Sequence, residues 1–288
     1  MNKYNLKHIT VRDKTPTIAG VVNEHKAGNV NIVALHGWQD NCASFYPLIK
    51  LLPQYNWLAF DFPGHGHSQW RHSEAHYYFI DYIDDIYQVI VTNFEQPVHI
   101  IGHSMGAMAA TLFCACFPEL VHSVVLIEGV GLVSTPDEEV VSQLRGAILD
   151  RYKNSSNISV QKLKYYKTLD ILVRARMSVS DLDYVHCESL MKRNSEKTES
   201  GIKLRIDPKL KHHSGFRFNE TQAIMVCKQV YVPVKLIIGN QGFKQIKKAI
   251  SKYSCYYREL TVIKMSGGHH CHMQNPKDAA KIISQFIK

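Results

Sequence analysis

Ser104 lies in a stretch that could supply the nucleophile of an acyl-transfer reaction. Residues 98–107 read VHIIGHSMGA, a short β-branched run followed by apolar residues at helical spacing. Glycine stands two positions before and two after the serine, where a Cβ would collide with the backbone of a sharp strand-to-helix turn. We therefore predict a nucleophile elbow, in which strained backbone dihedrals lift the Ser104 hydroxyl clear of a sheet.

The same motif has a second interpretation. A Gly-x-Ser-x-Gly match also arises at a glycine-rich helix start, where the serine only caps the helix. A strand before Ser104 and a helix after it are the context that an elbow requires, and they favour the nucleophile. Such a nucleophile also needs a base, an acid and hydrogen-bond donors for an oxyanion, which the rest of the chain must provide.

Strands and helices alternate on both sides of the elbow. We predict strands at 7–11, 17–22, 30–35, 57–60, 98–102, 121–127, 232–238 and 260–264, with amphipathic helices between most of the later ones. This alternation predicts an α/β fold with a mostly parallel eight-stranded sheet and helices on both faces.

The regular alternation stops after the strand at 121–127. Thr135-Pro136-Asp137-Glu138 is typical of a capping box, and it predicts a helix over 136–152. Further helices are predicted around 160–176 and 181–192. We expect residues 1–132 and 228–288 to form the core domain and residues 133–227 to form an inserted helical cap that acts as a lid.

The order of these motifs resembles the α/β-hydrolase fold over essentially the whole chain. In chain order, the motifs are a His-Gly loop at 36–37, an Asp-x-Pro-Gly-His-Gly loop at 61–66, the elbow, a helical insertion and a late Gly-Gly-His at 267–269. Within that fold, HGWQDN at 36–41, DPKL at 207–210 and His269-x-x-His272-Met273 are similar to the subgroup called serine hydrolase-like proteins. The resemblance implies a serine, an acid and a histidine that act in that chain order.

The resemblance implies that the base is a histidine on the loop after the last strand. His269 stands there, directly after Gly267-Gly268, and the glycines let the loop pass close to the elbow. His270 and His272 compete for the role, but the family commonly carries a second histidine three places on that packs structurally. We expect His269 to be the base.

The position of the acid departs from the commonest family pattern. Most members carry it in a Gly-x-x-Asp loop after the strand that follows the insertion, yet the loop at 239–242 reads GNQG. The family's second arrangement places the acid after the strand that precedes the insertion, where Glu128 stands. We expect Glu128 to be the acid; alternatively, it only caps a loop or pairs with an arginine of the cap.

The resemblance also implies an oxyanion hole made of two backbone N–H groups, those of Trp38 and Met105. Because these groups act through the main chain, the Trp38 side chain is free to line the acyl pocket. We expect Trp38 and His103 to border the substrate pocket. His36, Asp40 and Asp61 are interpreted as residues that brace loops.

Two histidine-rich sequences offer a metal-binding alternative. Zinc ligands must converge on one centre, and adjacent residues such as those of 269–272 seldom do so without distant partners. The sequence at 65–67 is similar to the start of a dinuclear metallohydrolase motif, but Gln69 and Trp70 stand where Asp and His would be needed. We expect neither a metal nor another cofactor, since the elbow would have no role in a metal mechanism.

Composition and charge limit the class of protein. A chain of 288 residues that is 45% hydrophobic can bury a large core, and its seven scattered cysteines indicate a reduced, cytoplasmic protein. No apolar run predicts a signal peptide or a membrane span. Residues 145–217 hold 16 Lys and Arg against 8 Asp and Glu, which is +8 of the formal +9. This basic region is either a solvated face or a device that steers an anionic substrate.

Two functions are compatible with these patterns. The first is a serine hydrolase that cleaves a small carboxylic ester or thioester through Ser104, His269 and Glu128, with no role in nucleic-acid binding. The second is a non-catalytic scaffold of the same fold that binds a small molecule, an alternative kept open by the missing carboxylate after Gly239. The acyl chain length and the oligomeric state are not encoded in any of these motifs.

Overall fold

A computed structural model describes residues 6–158 and 164–287 of the chain. The strands of this part are β1 (Lys7–Arg12), β2 (Ile18–Val22), β3 (Asn31–Leu35), β4 (Asn56–Phe60), β5 (Val98–His103), β6 (Val121–Ile127), β7 (Tyr165–Tyr166), β8 (Ser195–Thr198), β9 (Gly201–Leu204), β10 (Val234–Gly239) and β11 (Leu260–Met265). The helices are α1 (Tyr46–Leu51), α2 (Asp81–Asn93), α3 (Met105–Cys116), α4 (Val140–Ile158), α5 (Leu169–Met177), α6 (Tyr184–Arg193), α7 (Glu220–Lys228), α8 (Lys244–Tyr253), α9 (Cys271–Gln274) and α10 (Pro276–Phe286).

Eight of these strands form one sheet in the order β1-β2-β4-β3-β5-β6-β10-β11. Strands β1 and β2 pair antiparallel with each other, and β2 pairs antiparallel with β4, whereas the remaining neighbours are parallel. The predicted mostly parallel eight-stranded sheet is therefore confirmed. Its parallel strands place their carboxyl ends along one edge, where the loops that carry the candidate site residues meet.

Helices cover both faces of the sheet, as the alternation predicts. Along β3, Val33 and Leu35 face the layer formed by α2, α3, α7 and α8, whereas Ile32 and Ala34 face the layer formed by α1, α9 and α10. All four side chains are fully buried, so this strand is apolar on both faces, as expected of a central parallel strand.

Between β6 and β10 the chain leaves the sheet and forms the cap. The cap contains helices, as expected, but also a small antiparallel sheet in the order β7-β9-β8 that we did not predict. Helix α5 begins at Leu169 rather than near residue 160, and residues 159–163 of that predicted helix lie outside the described residues. The short strands escape prediction because their sequences, such as SEKT in β8, are polar and half exposed rather than alternating.

The predicted capping box at Thr135 is wrong. The Thr135 hydroxyl donates to the side-chain oxygen of Gln143 instead of capping the next turn. A short 3₁₀ turn, Asp137–Glu139, precedes α4, which begins only at Val140.

Buried polar contacts fix the second half of the cap to the core. The Arg193 guanidinium at the end of α6 pairs with the Asp61 carboxylate at 2.8 Å, and both side chains are almost fully buried. The neighbouring Asn194 donates to the Gln39 carbonyl and accepts from the Gly66 N–H. No helix within the described part of the chain is long and apolar enough to cross a membrane.

Candidate active site

Ser104 occupies the turn between β5 and α3 with φ 53° and ψ −115°, outside the regions that a residue with a side chain normally adopts. A Cβ at Gly102 would lie 2.4 Å from the Gly106 carbonyl oxygen, and a Cβ at Gly106 would lie 2.1 Å from the Leu35 carbonyl oxygen. Only glycine fits at either position, which explains their spacing around the serine. The turn leaves the Ser104 side chain partly exposed to a cavity.

The imidazole of His269 lies beside the Ser104 hydroxyl. Its Nε2 atom is 3.0 Å from Ser104 Oγ, within hydrogen-bond distance. The loop between β11 and α9 positions this histidine, and Gly267 turns the loop with φ 120°. The Phe243 ring stacks on the imidazole, with centroids 4.2 Å apart and planes inclined by 20°. Phe243 thereby restricts the orientation of His269, a role that the sequence analysis missed.

The carboxylate of Glu128 lies on the other side of the imidazole. Its Oε2 atom is 3.3 Å from His269 Nδ1, and its Oε1 atom accepts the Gly239 N–H at 2.7 Å. The side chain is almost fully buried, and its backbone φ of 50° is unusual for a residue other than glycine. This conformation at the end of β6 turns the side chain towards the histidine loop.

The loop that lacks the usual acid makes room for Glu128. A Cβ at Gly242 would lie 2.4 Å from Glu128 Oε2 and 2.5 Å from Oε1, so any larger residue would displace the carboxylate. Gly239, at the start of the same loop, donates the backbone hydrogen bond described above. Residues 239–242 therefore form a cradle around the carboxylate of the neighbouring strand, which the sequence analysis did not foresee.

The two backbone groups expected to form an oxyanion hole flank Ser104. Met105 is the first residue of α3, so its N–H has no acceptor inside the helix and lies at the positive end of the helix dipole. Trp38 follows Gly37, and a Cβ at Gly37 would lie 3.3 Å from Ser104 Cβ, which places this loop against the elbow. The oxyanion role of both groups stays a prediction.

The Trp38 side chain lines the same cavity as Ser104, as expected for a pocket residue. Its indole N–H donates to the Leu210 carbonyl oxygen at 3.3 Å and so links the core to the cap. The expectation that His103 borders the pocket is wrong. His103 is fully buried behind the elbow and does not line the cavity, because alternate positions of β5 face opposite sides of the sheet.

A cavity of about 550 Å³ opens onto Ser104 and lies between core and cap. Its lining is mainly apolar and aromatic, with a basic group at 211–217, and it consists of Trp38, Tyr77, Phe79, Ile80, Tyr82, Ser104, Met105, Met108, Leu132, Val133, Leu210, Lys211, His212, His213, Ser214, Phe216, Arg217 and Phe218. No carboxylate occurs among these described lining residues. A second, more open depression lies at the amino ends of the strands, far from the candidate catalytic groups.

An ionic network lies immediately behind His269. Burial lowers the pKa of His270, but hydrogen bonds and charges from Asp181 and Asp40 outweigh burial and raise this pKa to about 9. Burial raises the pKa of the Asp40 carboxyl, but the charge of Arg176, followed by the hydrogen bond and charge of His270, holds this pKa well below its usual range. Since Arg176 and Asp181 belong to the cap, this network joins the cap to the loop that carries His269.

The loop residues His36 and Asp61 contact backbone groups. His36 Nε2 accepts the Phe62 N–H at 2.9 Å, and Asp61 accepts the N–H groups of Cys42 and His67. Burial raises the pKa of the Asp61 carboxyl, but Arg193 and the hydrogen bonds outweigh burial and lower this pKa to about 2. Neither side chain contacts Ser104 or His269 in the described structure.

Comparison with known proteins places the chain in a family. Residues 30–225 match the family model described as α/β hydrolase fold, so the chain belongs to the α/β hydrolases. Within that family it resembles the serine hydrolase-like proteins. The member from Danio rerio is 28% identical over 264 residues, which covers 89% of this chain and 81% of the relative.

Solved structures agree with this assignment. A hypothetical protein of Pseudomonas aeruginosa has a TM-score of 0.85 at 25% identity and covers 97% of this chain and 99% of its own. The thioesterase domain from the curacin biosynthetic pathway has a TM-score of 0.81 at 20% identity, with the same coverage of both chains. At that identity the second likeness shows the fold alone. The relatives named as serine hydrolases support a hydrolase, and the homology is consistent with a catalytic triad.

Proposed function

We propose that the protein is a serine hydrolase that cleaves a small carboxylic ester or thioester through a covalent acyl-enzyme intermediate. The observation that carries the proposal is the continuous contact from Ser104 Oγ to His269 Nε2, and from His269 Nδ1 to Glu128 Oε2. A nucleophile, a base and a group that orients the base meet in the order that acyl transfer needs.

In the proposed reaction, Ser104 Oγ attacks the carbonyl carbon while His269 Nε2 accepts the hydroxyl proton. The carbonyl oxygen becomes an oxyanion, to which the N–H groups of Trp38 and Met105 donate. Collapse of this intermediate breaks the bond to the alcohol or thiol, which leaves with the proton from His269. Water then attacks the acyl-enzyme with His269 again as base, and the carboxylic acid is released. Glu128 keeps the proton on Nδ1 so that Nε2 stays free to accept.

Replacement of Ser104 by Ala tests the nucleophile. We expect hydrolysis of p-nitrophenyl acetate to fall by about 10⁴-fold or more, because the remaining groups have nothing to acylate. A fluorophosphonate should label the wild-type protein at Ser104 and leave the variant unlabelled. Ser142→Ala, which removes an exposed hydroxyl on α4, is the matched control. Normal turnover by the Ser104 variant would refute the proposal and leave the non-catalytic scaffold as the better hypothesis.

The cavity supports a substrate that is apolar near the scissile bond and anionic at its far end. Aromatic and aliphatic side chains surround Ser104, whereas Lys211 and Arg217 line the same cavity as exposed cations. His213 is different, because Asp150 Oδ2 lies 3.5 Å from its Nδ1 atom. An anion can pair with Lys211 and Arg217 in a site whose described lining has no carboxylate to oppose it.

The charge preference can be separated from turnover. Lys211→Gln and Arg217→Gln should raise KM for an ester that carries a carboxylate or phosphate by several-fold and leave KM for a neutral ester of the same length unchanged. Lys50→Gln, on the outer surface of α1, is the control for net charge. Equal KM changes for both esters would refute the preference for anions without affecting the proposed triad.

We further propose that residues 133–227 form the substrate-selecting cap on a core of residues 1–132 and 228–288. The contacts of Arg193 and Asn194 with core loops support a cap that docks in one orientation.

All seven cysteines are free thiols, which supports the expected cytoplasmic location.

A further inference from the structure

Three buried side chains converge immediately behind the proposed base. Asp40 Oδ2 lies 3.2 Å from His270 Nε2 and 3.9 Å from His103 Nδ1, and the three atoms all lie within 4.8 Å of one another. Asp40 comes from the loop after β3, His103 from the end of β5 and His270 from the loop after β11. These three residues are distant from one another in the chain, unlike the adjacent histidines of 269–272.

In both His103 and His270, the ring nitrogen that points away from Asp40 lies next to an oxygen acceptor. His103 Nε2 lies 2.9 Å from the His269 carbonyl oxygen, to which it donates, and His270 Nδ1 lies 2.5 Å from Asp181 Oδ1. A carbonyl or carboxylate on the far nitrogen is the usual way in which metal-binding histidines are oriented. Both rings therefore turn their other nitrogen towards Asp40.

His103 Nδ1 is the second, independent indication of a ligand. It belongs to a fully buried residue and has no hydrogen-bond partner among the described atoms. Because Nε2 donates to a carbonyl, Nδ1 of the neutral ring is an acceptor with an unused lone pair. A buried acceptor without a donor is uncommon in native proteins.

We propose that Asp40, His103 and His270 bind one divalent transition-metal ion of the zinc type, and that this ion inhibits the enzyme. Two imidazoles and one carboxylate form a donor set that zinc commonly accepts, with a fourth position open to water. Bonds of about 2.1 Å in a tetrahedral site separate ligand atoms by about 3.4 Å. The two separations from Asp40, 3.2 and 3.9 Å, lie within about half an ångström of this value, and the two histidine nitrogens lie within 4.8 Å of each other.

The Arg176 guanidinium and the proton on His270 both compete with a metal ion at this site. Arg176 Nη2 lies 2.7 Å from Asp40 Oδ1 and 3.4 Å from His270 Nε2, so its charge opposes a metal there. Its side chain is 20% exposed and can turn towards solvent, whereas the three ligands are buried in the core. The metal must also displace the proton that His270 shares with the two carboxylates, so binding releases a proton. The imidazoles of His269 and His272 also face the cluster, Asp181 pairs with His270, and His36 acts on Asp40 through its proximity.

Inhibition follows from the position of the ligands and rests on the proposed function. His103 precedes Ser104, and His270 follows His269, so coordination would fix the backbone on both sides of the reacting pair. The ion would also lie close to the His269 imidazole, whose ring centroid is 4.8 Å from that of His103.

Metal binding is measured without reference to turnover. The protein is treated with a chelator, transferred to metal-free buffer at about pH 8 and titrated with Co²⁺, whose visible absorption reports tetrahedral coordination. Zn²⁺ is then titrated by calorimetry. We expect one ion per chain, and a loss of affinity of about 100-fold or more in His103→Asn and His270→Gln, since even an outer contact of a metal ligand is worth 10- to 100-fold. His122→Gln, which replaces an exposed histidine at the amino end of β6, should bind as the wild type does.

The Arg176→Gln variant should change the affinity for Zn²⁺ in the opposite direction to the ligand variants. Removal of the competing charge should tighten Zn²⁺ binding several-fold, and this result decides the proposal even if a ligand variant fails to fold. Absence of stoichiometric binding by the wild type, unchanged affinity in a folded His103→Asn or His270→Gln variant, or weaker binding by Arg176→Gln would each overturn the site. Hydrolysis should fall with the same midpoint as Zn²⁺ binding. Stoichiometric binding with unchanged hydrolysis would overturn the inhibitory role alone, and a protein without hydrolytic activity would still report binding through Co²⁺.

Discussion

Replacement of Glu128 by Gln separates the proposed acid from a carboxylate that merely braces a loop. The change keeps the size and shape of a side chain that is almost fully buried. In the wild type, the two carboxylate oxygens lie 2.7 Å from the Gly239 N–H nitrogen and 3.3 Å from His269 Nδ1. In the variant, the amide oxygen can still accept the Gly239 N–H, and the amide nitrogen then faces His269 Nδ1. A donor in that position favours the tautomer with the proton on Nε2, which cannot accept a proton from Ser104.

The expected magnitude follows from this change of tautomer. The corresponding carboxylate-to-amide change in a serine protease lowers kcat by about 10⁴-fold, which is about 5.5 kcal/mol of activation free energy. We expect a similar fall in kcat here with little change in KM, since Glu128 does not line the substrate cavity. Hydrolysis of p-nitrophenyl acetate, followed over a range of concentrations, separates the two constants.

The control for this experiment is Glu119→Gln, which alters an exposed carboxylate near the end of the elbow helix. Thermal unfolding of the Glu128 variant shows whether its fold is retained, because lost activity in a folded protein is the informative result. A folded Glu128→Gln variant that keeps kcat within about tenfold of the wild type would refute the assignment. The interpretation of Glu128 as a structural residue would then be correct.

Three further predictions concern the surroundings of the site. Gly242→Ala places a methyl group about 2.5 Å from the Glu128 carboxylate, so we expect kcat to fall by about 10²-fold while the far-ultraviolet circular dichroism stays unchanged. Arg193→Leu leaves the buried Asp61 carboxylate without its partner, and denaturant titration should show a loss of about 3–5 kcal/mol in the free energy of unfolding. His65 is buried in its neutral form, and burial is the main cause that lowers its pKa to about 3. The unfolded chain protonates this histidine below about pH 6.5, whereas the folded chain does so only near pH 3. The contribution of neutral His65 to the free energy of unfolding is therefore complete above about pH 6.5 and is lost as the pH falls towards 3. The slope is up to about 1.4 kcal/mol per pH unit. Replacement of His65 by Gln should reduce that slope, and an unchanged slope would refute the buried neutral state.

The part of the site that could be predicted from the sequence is local in the chain. Gly102, Ser104 and Gly106 determine a turn within a few residues, and a Cβ at either glycine would meet backbone only 2.1–2.4 Å away. The strand before this turn is a short, continuous β-branched run, whereas the apolar residues after it recur at helical spacing. The position of His269 followed from the resemblance of Gly267-Gly268-His269 to the family's motif of adjacent residues. In each case the signal and the structure occupy the same short segment.

The missed features depend on contacts between distant segments. Gly242 and Phe243 touch Glu128 and His269, but nothing in the sequence GNQGF shows that this loop reaches the end of β6. His103 was misplaced because its neighbour faces the cavity, although consecutive residues at a strand end point to opposite sides. The small cap sheet has too few residues per strand for any alternation to be recognised.

The place of Glu128 in the chain has a consequence for how this fold can change. Ser104 and Glu128 are joined by α3 and β6 alone, and the whole cap is inserted after them and before β10. An insertion, deletion or exchange of cap segments therefore leaves the spacing between the proposed nucleophile and acid untouched. Two of the three proposed catalytic residues, Ser104 and Glu128, thus precede the cap in the chain, and only His269 follows it. Grafting a different cap onto this core should alter which molecules reach the proposed nucleophile, provided that the contacts of Asp181 and Arg176 with the surroundings of His269 are kept.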